Sequence, residues 1–252
     1  MPRLMATDEN QVVGVAGPGN FQFSRVKIEN LGASEYTLVT IVCDISGSVV
    51  GFATELLDCI KMIVKACRKS ARAENLLIRF LTFDDKIYEI HGFKELSKID
   101  ENTYEALKPY GYTALFDATY DAVGATLTFS KELVDLNYDC NGAIYIITDG
   151  MNNRGIMTAK SIKDKIESAL KNEEIESLVS ILIGLHDPND SWSKEVKKHL
   201  NDFKEDAALT QFIDVGDATA QKLAKLANWV SQSISSQSQA LGSGGPSQQL
   251  TF

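Results

Sequence analysis

Three observations make this sequence an α/β fold, with a doubly wound, mostly parallel sheet and helices on both faces. Four runs, residues 38–43, 76–83, 143–148 and 178–185, are apolar almost throughout, as strands covered on both faces must be. Between them, apolar residues recur at helical spacing, so strands and helices alternate in one continuous rhythm. A single connection departs from that rhythm. Asp84-Asp85 is a two-residue acidic turn between LLIRFLTF and KIYEIH, and such a hairpin predicts one antiparallel strand at the sheet edge.

Taken in order, residues 1–35 predict an N-terminal arm or an edge strand. The lead-in is polar and Gly-containing, GVAGPGNF is turn-rich, and Phe21, Phe23, Val26 and Ile28 are placed as in one short strand. Its glycines do not follow a strand and open a helix, so a dinucleotide-phosphate loop is excluded. The run 38–43 is a buried strand that feeds into Asp44, Ser46 and Ser48. A helix over 52–73 follows from the spacing of Leu56, Ile60, Ile63, Val64 and Cys67, with Lys61, Lys65, Arg68, Lys69 and Arg72 on a solvated face. Strand 76–83, the acidic turn and an edge strand 86–91 come next. A short helix over 99–107 is expected to stop before Pro109. GYTALFDA, residues 111–118, turns into a helix running through Val123 and Leu127.

Strand 143–148 ends on Asp149-Gly150, and a polar turn leads to a helix over 158–170. Strand 178–185, an acidic loop HDPND, a helix over 196–203, a short strand 212–215 and a closing helix 218–234 complete the pattern. The segment from 235 onward, SSQSQALGSGGPSQQLTF, lacks core-forming residues and predicts a flexible tail. The organisation is therefore one Rossmann-like domain over 36–234, an N-terminal arm and a tail over 235–252.

Composition narrows the function classes. With 25 basic against 34 acidic residues the net charge is −9, which argues against a nucleic-acid backbone binder. No apolar run is long enough to span a bilayer, and no charged-then-apolar start resembles a signal peptide. Cys43, Cys59, Cys67 and Cys140 lack CxxC spacing, which predicts reduced, structural thiols and a cytoplasmic location. His91, His186 and His199 form no i, i+4 pair, so zinc ligation and a histidine base have little support. A GxxxxGK[ST] loop is absent, which removes P-loop nucleotide hydrolysis.

The informative chemistry lies in YTLVTIVCDISGSVVG, residues 36–51. Asp44, Ser46 and Ser48 alternate in one strand-to-helix turn, so their oxygens can point into a common space. Such hard ligands select Mg2+, Mn2+ or Ca2+ over zinc or copper. In open α/β sheets, ligands bind beyond the carboxyl ends of the strands where strand order reverses, and Asp149 ends another strand while Thr113 precedes a helix. Asp44, Ser46, Ser48, Thr113 and Asp149 together resemble the Asp-x-Ser-x-Ser, Thr, Asp pattern of a von Willebrand factor A (vWA) domain with a metal-ion-dependent adhesion site. The resemblance spans about residues 36–234. It implies that the three hydroxyls ligate the metal directly and the two carboxylates act directly or through water. It further implies a protein partner offering an Asp or Glu side chain, and an intracellular assembly. The GYTALFDA loop is more weakly similar to bacterial tellurium-resistance-type members, and a phage-encoded protein working in the host cytoplasm is equally compatible.

Each residue has a plainer reading as well. Ser46, Ser48 and Thr113 are common helix caps, Asp149 suits a turn before Gly150, and Asp84 and Asp85 serve the hairpin. Asp117 reads as a structural hydrogen-bonding residue, and Trp192 and Trp229 as packing. The leading function is a metal-dependent protein-binding module. The alternatives are a structural scaffold whose metal site is not essential and, with less support, a Mg2+-dependent hydrolase. Ser46 stands where the Asp-x-Asp of an aspartyl phosphatase needs a second carboxylate, and no catalytic group accompanies the site.

Overall fold

The computed structural model describes residues 10–186, 191–243 and 250–252. Most of the HDPND loop and residues 244–249 of the expected tail lie outside this set. The elements in chain order are β1 (Asn10–Gly14), β2 (Gln22–Val26), β3 (Glu35–Asp44), α1 (Ala53–Cys67), β4 (Leu76–Phe83), β5 (Ile87–Glu95), α2 (Leu115–Val134), β6 (Asp139–Thr148), α3 (Ala159–Lys171), β7 (Ser177–Leu185), α4 (Ser193–Asp206), β8 (Gln211–Gly216) and α5 (Ala220–Ser243).

Period-2 alternation in the central strands divides the core into two layers. Leu38 and Val42 of β3, Ile144 and Ile146 of β6, and Leu182 of β7 face α2, α3 and α4. Their neighbours Val39, Ile41, Cys43, Tyr145, Ile147 and Ile183 face α1 and α5. Both faces of the sheet are covered, which is why the strands read as continuous apolar runs.

The sheet has the order β1-β2-β5-β4-β3-β6-β7-β8. β3, β4, β6, β7 and β8 are mutually parallel, and β5 is antiparallel to β4 across the acidic turn. The doubly wound, mostly parallel α/β sheet is thus present, with a hairpin added outside β5. β1 and β2 pair with each other, and β2 meets β5 at Arg25 and Phe93. The approach is close at Gly92, where a Cβ would lie 1.9 Å from the Ser24 carbonyl oxygen, so only glycine fits there. Ser24 also donates its N–H and its hydroxyl to Glu89, at 2.9 and 2.6 Å. Glu89 and Asp121 flank the buried Arg79 guanidinium at 2.7 and 2.8 Å, so the hairpin is tied to an ion cluster inside the domain.

Two expectations change. Residues 99–107 are not helical; short 3-10 turns stand at Leu96–Lys98 and Glu101–Thr103. Asp100 accepts from the Asn102 N–H at 3.0 Å, and its carbonyl accepts the Thr103 hydroxyl at 2.7 Å, local bonds that compete with a helix. Arg68, expected on a solvated face, donates to the carbonyls of Leu96 and Ile99 and to Glu101.

The closing helix also runs past residue 234 to Ser243, burying Gln237, Ser238 and Leu241. Asn141 donates to the Gln237 carbonyl at 2.9 Å, and Arg72 donates to Ser238 at 3.2 Å. Beyond it, Phe252 meets Trp229 edge to face with ring centroids 5.9 Å apart. Truncation after Ile234 is therefore expected to cost at least about 2 kcal/mol, from lost apolar burial and buried hydrogen bonds. Truncation after Ser243 should cost less. Urea unfolding of both forms checks this, and equal stability of full-length chain and the shorter form would show that the last turns of α5 contribute nothing.

Candidate metal centre

β3 is flanked by β4 on one side and β6 on the other. α1, which follows β3, and α3, which follows β6, cover opposite faces, so the winding reverses between these strands, the place where such sheets bind ligands. Asp44 is the last residue of β3 and fully buried. Its Oδ1 accepts the Ser46 N–H at 2.7 Å and its Oδ2 accepts the Thr148 hydroxyl at 2.5 Å. Both oxygens are thus used to hold the two loops that leave β3 and β6.

The hydroxyls continue outward from there. Ser46 Oγ and Ser48 Oγ lie 3.2 Å apart, and Ser48 Oγ donates to Asp149 Oδ1 at 2.8 Å. Thr113, buried, stands against Gly150: a Cβ there would be 3.4 Å from Thr113 Oγ1. Asp44, Ser46, Ser48 and Asp149 are therefore joined by short oxygen contacts, and Thr113 borders them from the third loop.

The backbone around the site differs from the expected strand-to-helix turn. Ser48 lies in a 3-10 turn over Gly47–Phe52, and α1 begins only at Ala53. The loops are stapled to one another. Tyr110 N–H donates to the Ile45 carbonyl at 2.9 Å, and Ala114 N–H to the Asp84 carbonyl at 2.8 Å. Asn153 Oδ1 accepts the Thr113 N–H and Asn152 Oδ1 accepts the Phe116 N–H, at 2.8 and 3.0 Å. Asp117 accepts the N–H groups of Ile156 and Met157 at 2.9 and 2.8 Å, the structural role its sequence context suggested. Asn152 and Asn153 escaped the sequence reading, although two amides right after Asp149-Gly150 are a recognisable loop-bonding signal.

Burial pushes the Asp149 carboxyl up to about 7; the Asp44 charge adds to this and the Ser48 hydroxyl opposes it. Burial also raises Asp44, against the hydrogen bonds from Thr148 and Ser46, with Asp84 adding repulsion. Among the described residues neither Asp44 nor Asp149 forms an ion pair with Lys, Arg or His, whereas buried Asp121 has Arg79. No three His, Cys, Asp or Glu side chains converge as a metal cluster among the described residues. The donor set is instead two carboxylates and three hydroxyls. That set fits a hard divalent cation, whose charge would offset two acidic groups that nothing else neutralises.

A second polar group went unnoticed in the sequence. His186 Nε2 bonds Asp214 at 2.7 Å, and its Nδ1 bonds the Ser193 hydroxyl at 2.6 Å. Its order of exposure is the reverse of a hydrolytic triad: Ser193 is 7% exposed, while the Asp214 side chain is 25% exposed and also paired with Lys197. A nucleophile needs access and an orienting carboxylate needs shelter. The group ties the start of α4 to the ends of β7 and β8.

No family model matches the chain, and a search of curated proteins found no match. Solved structures do resemble it. The PilB minor pilin from Streptococcus sanguinis aligns at TM-score 0.56 and 14% identity, over 88% of this chain and 66% of that one. The pilus adhesin SpaC from Lactobacillus rhamnosus GG aligns at 0.52 and 11%, over 90% of this chain and 34% of that one. Proximal thread matrix protein 1 from the mussel byssus aligns at 0.51 and 16%, over 80% and 47%. The chain spans about two thirds of the pilin and less of the other two. At these identities the likeness shows a shared fold and nothing further.

The raised Asp149 carboxyl has a consequence for metal-free protein. Its folded value of about 7 lies above the ordinary carboxylate value of 3.8, so the folded state holds the proton more tightly and stability falls as pH rises from about 4 through 7. In EDTA, Asp149→Asn should remove that part of the slope and be more stable than wild type at pH 8. Denaturant titrations at pH 5 and pH 8 test this, and parallel slopes for the two proteins would rule it out.

Proposed function

We propose that the chain is a metal-dependent protein-binding module. A divalent cation, Mg2+ or alternatively Mn2+ or Ca2+, is held by Ser46, Ser48 and Thr113 through their hydroxyls, with Asp44 and Asp149 supplying the negative charge. The observation that carries this reading is a pair of acidic side chains with no basic partner among the described residues, linked through Ser46 and Ser48 at the carboxyl end of β3 and β6. The cation supplies an electrophilic position for one more oxygen, filled by an Asp or Glu carboxylate of a partner protein.

Within this reading the chain's residues divide the work. Asp44 has both oxygens occupied by Ser46 N–H and Thr148, so it orients the serine loop rather than leaning into the open space. Ser48, exposed and bonded to Asp149, is a flexible donor that can exchange this bond for the cation. Asn153 and Asn152 hold Thr113 and the start of α2 in place. The reading needs no nucleophile; the Ser46, Ser48 and Thr113 hydroxyls act in it as ligands. Fold neighbours whose names are those of a pilus adhesin and a minor pilin are compatible with an adhesive role.

A reducing compartment such as the cytoplasm is the location this reading adopts, and the thiols support it; work inside an assembly is what the family resemblance implies. All four cysteines are free and buried. Burial pushes Cys59, Cys67 and Cys140 up to about 12 and raises Cys43 well above its ordinary value, which keeps them unreactive. No described helix is long and apolar enough to cross a membrane.

Thermal unfolding tests the metal directly. At a cation concentration 100 times Kd, binding should stabilise the folded state by about 2.7 kcal/mol, roughly 5–10 °C in Tm for a chain of this size. Asp149→Ala should remain folded and lose the shift. Equal shifts in both proteins would place the cation elsewhere, and no shift in the wild type would leave the scaffold reading in its place.

A further inference from the structure

The three most exposed large hydrophobic side chains described are Tyr110 (78%), Ile156 (73%) and Val50 (66%). They come one each from the three loops that carry the candidate metal residues: Val50 two positions after Ser48, Tyr110 three before Thr113, and Ile156 in the segment after Asp149. The loops are joined by the Tyr110–Ile45, Gly47–Gly111 and Asn153–Thr113 backbone bonds, so these exposed side chains stand on one connected set of loops around the candidate site, which we treat as a rim. Chance scatter of exposed apolar residues is ordinary on any surface, but concentration on a single rim marks an interaction site.

Arg154 adds charge to that rim. It is exposed, and its guanidinium stacks over the Tyr112 ring at 4.5 Å. It forms no ion pair among the described residues, although Arg25, Arg68, Arg72 and Arg79 each have a carboxylate partner. A guanidinium over a tyrosine face can keep its N–H donors available to a carboxylate, which it takes in bidentate fashion.

From this we infer that the rim of Val50, Tyr110, Arg154 and Ile156 reads a protein segment bearing two carboxylates and an adjoining apolar side chain. One carboxylate goes to the cation, the second to Arg154, and the apolar side chain lies against Val50, Tyr110 and Ile156. The inference rests on the cation-bridging reading for the first carboxylate and on the rim for the other two contacts. Charge complementarity selects this occupant. A cation site neutralised by its own carboxylates and an unpaired arginine both call for anionic oxygen, and the flanking surface calls for apolar contact. A segment with a lone acid would leave Arg154 unused, and a basic segment would meet it with like charge.

The test is an array of immobilised nine-residue peptides with a central Asp, whose flanks carry or lack a second acid and an apolar residue, probed with the intact chain. In Mg2+, wild type should retain the two-acid, apolar-flanked peptides at least tenfold better than peptides with the central Asp alone. Arg154→Glu should erase the preference for the second acid while keeping the need for the central Asp and for Mg2+. Val50→Ser with Ile156→Ser should erase the apolar preference and leave the second-acid preference intact. Equal retention of one-acid and two-acid peptides by wild type, or an unchanged preference in Arg154→Glu, overturns the inference. Flank preferences that persist undiminished in EDTA would sink the cation bridge and leave the rim standing, so the two failures are separable.

Discussion

A carboxylate fully removed from water needs a hydrogen-bond partner on each oxygen, and the partners of Asp44 organise the loops at the carboxyl end of β3 and β6. Its two oxygens accept from Ser46 N–H and from the Thr148 hydroxyl. One bond reaches forward along its own chain, and the other crosses to the neighbouring strand β6. The serine loop and the Asp149 loop are thereby placed relative to each other by a single buried side chain. Leaving such a group unpaired would be costly, so the bonds fix the loops and not only the acid.

The remaining constraint is charge. The domain contains two kinds of buried acid, and it treats them differently. Glu89 and Asp121 share Arg79, which is itself wholly buried, and the cluster holds the outer hairpin through Ser24. Among the described residues Asp44 and Asp149 accept from hydroxyls and a backbone N–H and form no ion pair. Burial raises both acids. Asp84, also buried, is likewise held by hydrogen bonds alone, from the Lys86 N–H and the Tyr88 hydroxyl, so the acids at this end of the sheet are less compensated than those of the Arg79 cluster.

Much of this was legible in the sequence. The strands announced themselves because both faces of the sheet are covered, and the Asp-x-Ser-x-Ser turn stood out because three oxygens alternate after a buried run. What stayed hidden depends on contacts far along the chain. Arg79 reads as an interruption in LLIRFLTF, and only the fold brings Glu89 and Asp121 to it. Asn152 and Asn153 act across a gap of 36 and 40 residues. The helical extension to Ser243 was masked by composition. Ser and Gln look like tail residues, yet the Gln237 carbonyl accepts from Asn141 at 2.9 Å, and Ser238 takes Arg72. Small polar residues let α5 lie close to the sheet and bond to it. Residues 99–107 carried a helical pattern that Asp100 and Arg68 override locally.

The same reasoning separates the two polar groups at the carboxyl end of the sheet. Ser193, His186 and Asp214 have better hydrogen-bond distances than the serine loop, and a reading by proximity alone would favour them as the functional centre. Every partner there is accounted for: Lys197 and His186 Nε2 satisfy Asp214, and the Ser193 hydroxyl bonds His186 Nδ1. At Asp149 the bonds run short of the charge, Ser48 is exposed, and apolar side chains stand out around it where a water-facing loop would ordinarily be polar. Function is to be sought where satisfaction is incomplete, because a group whose partners are all internal has nothing left to offer a ligand.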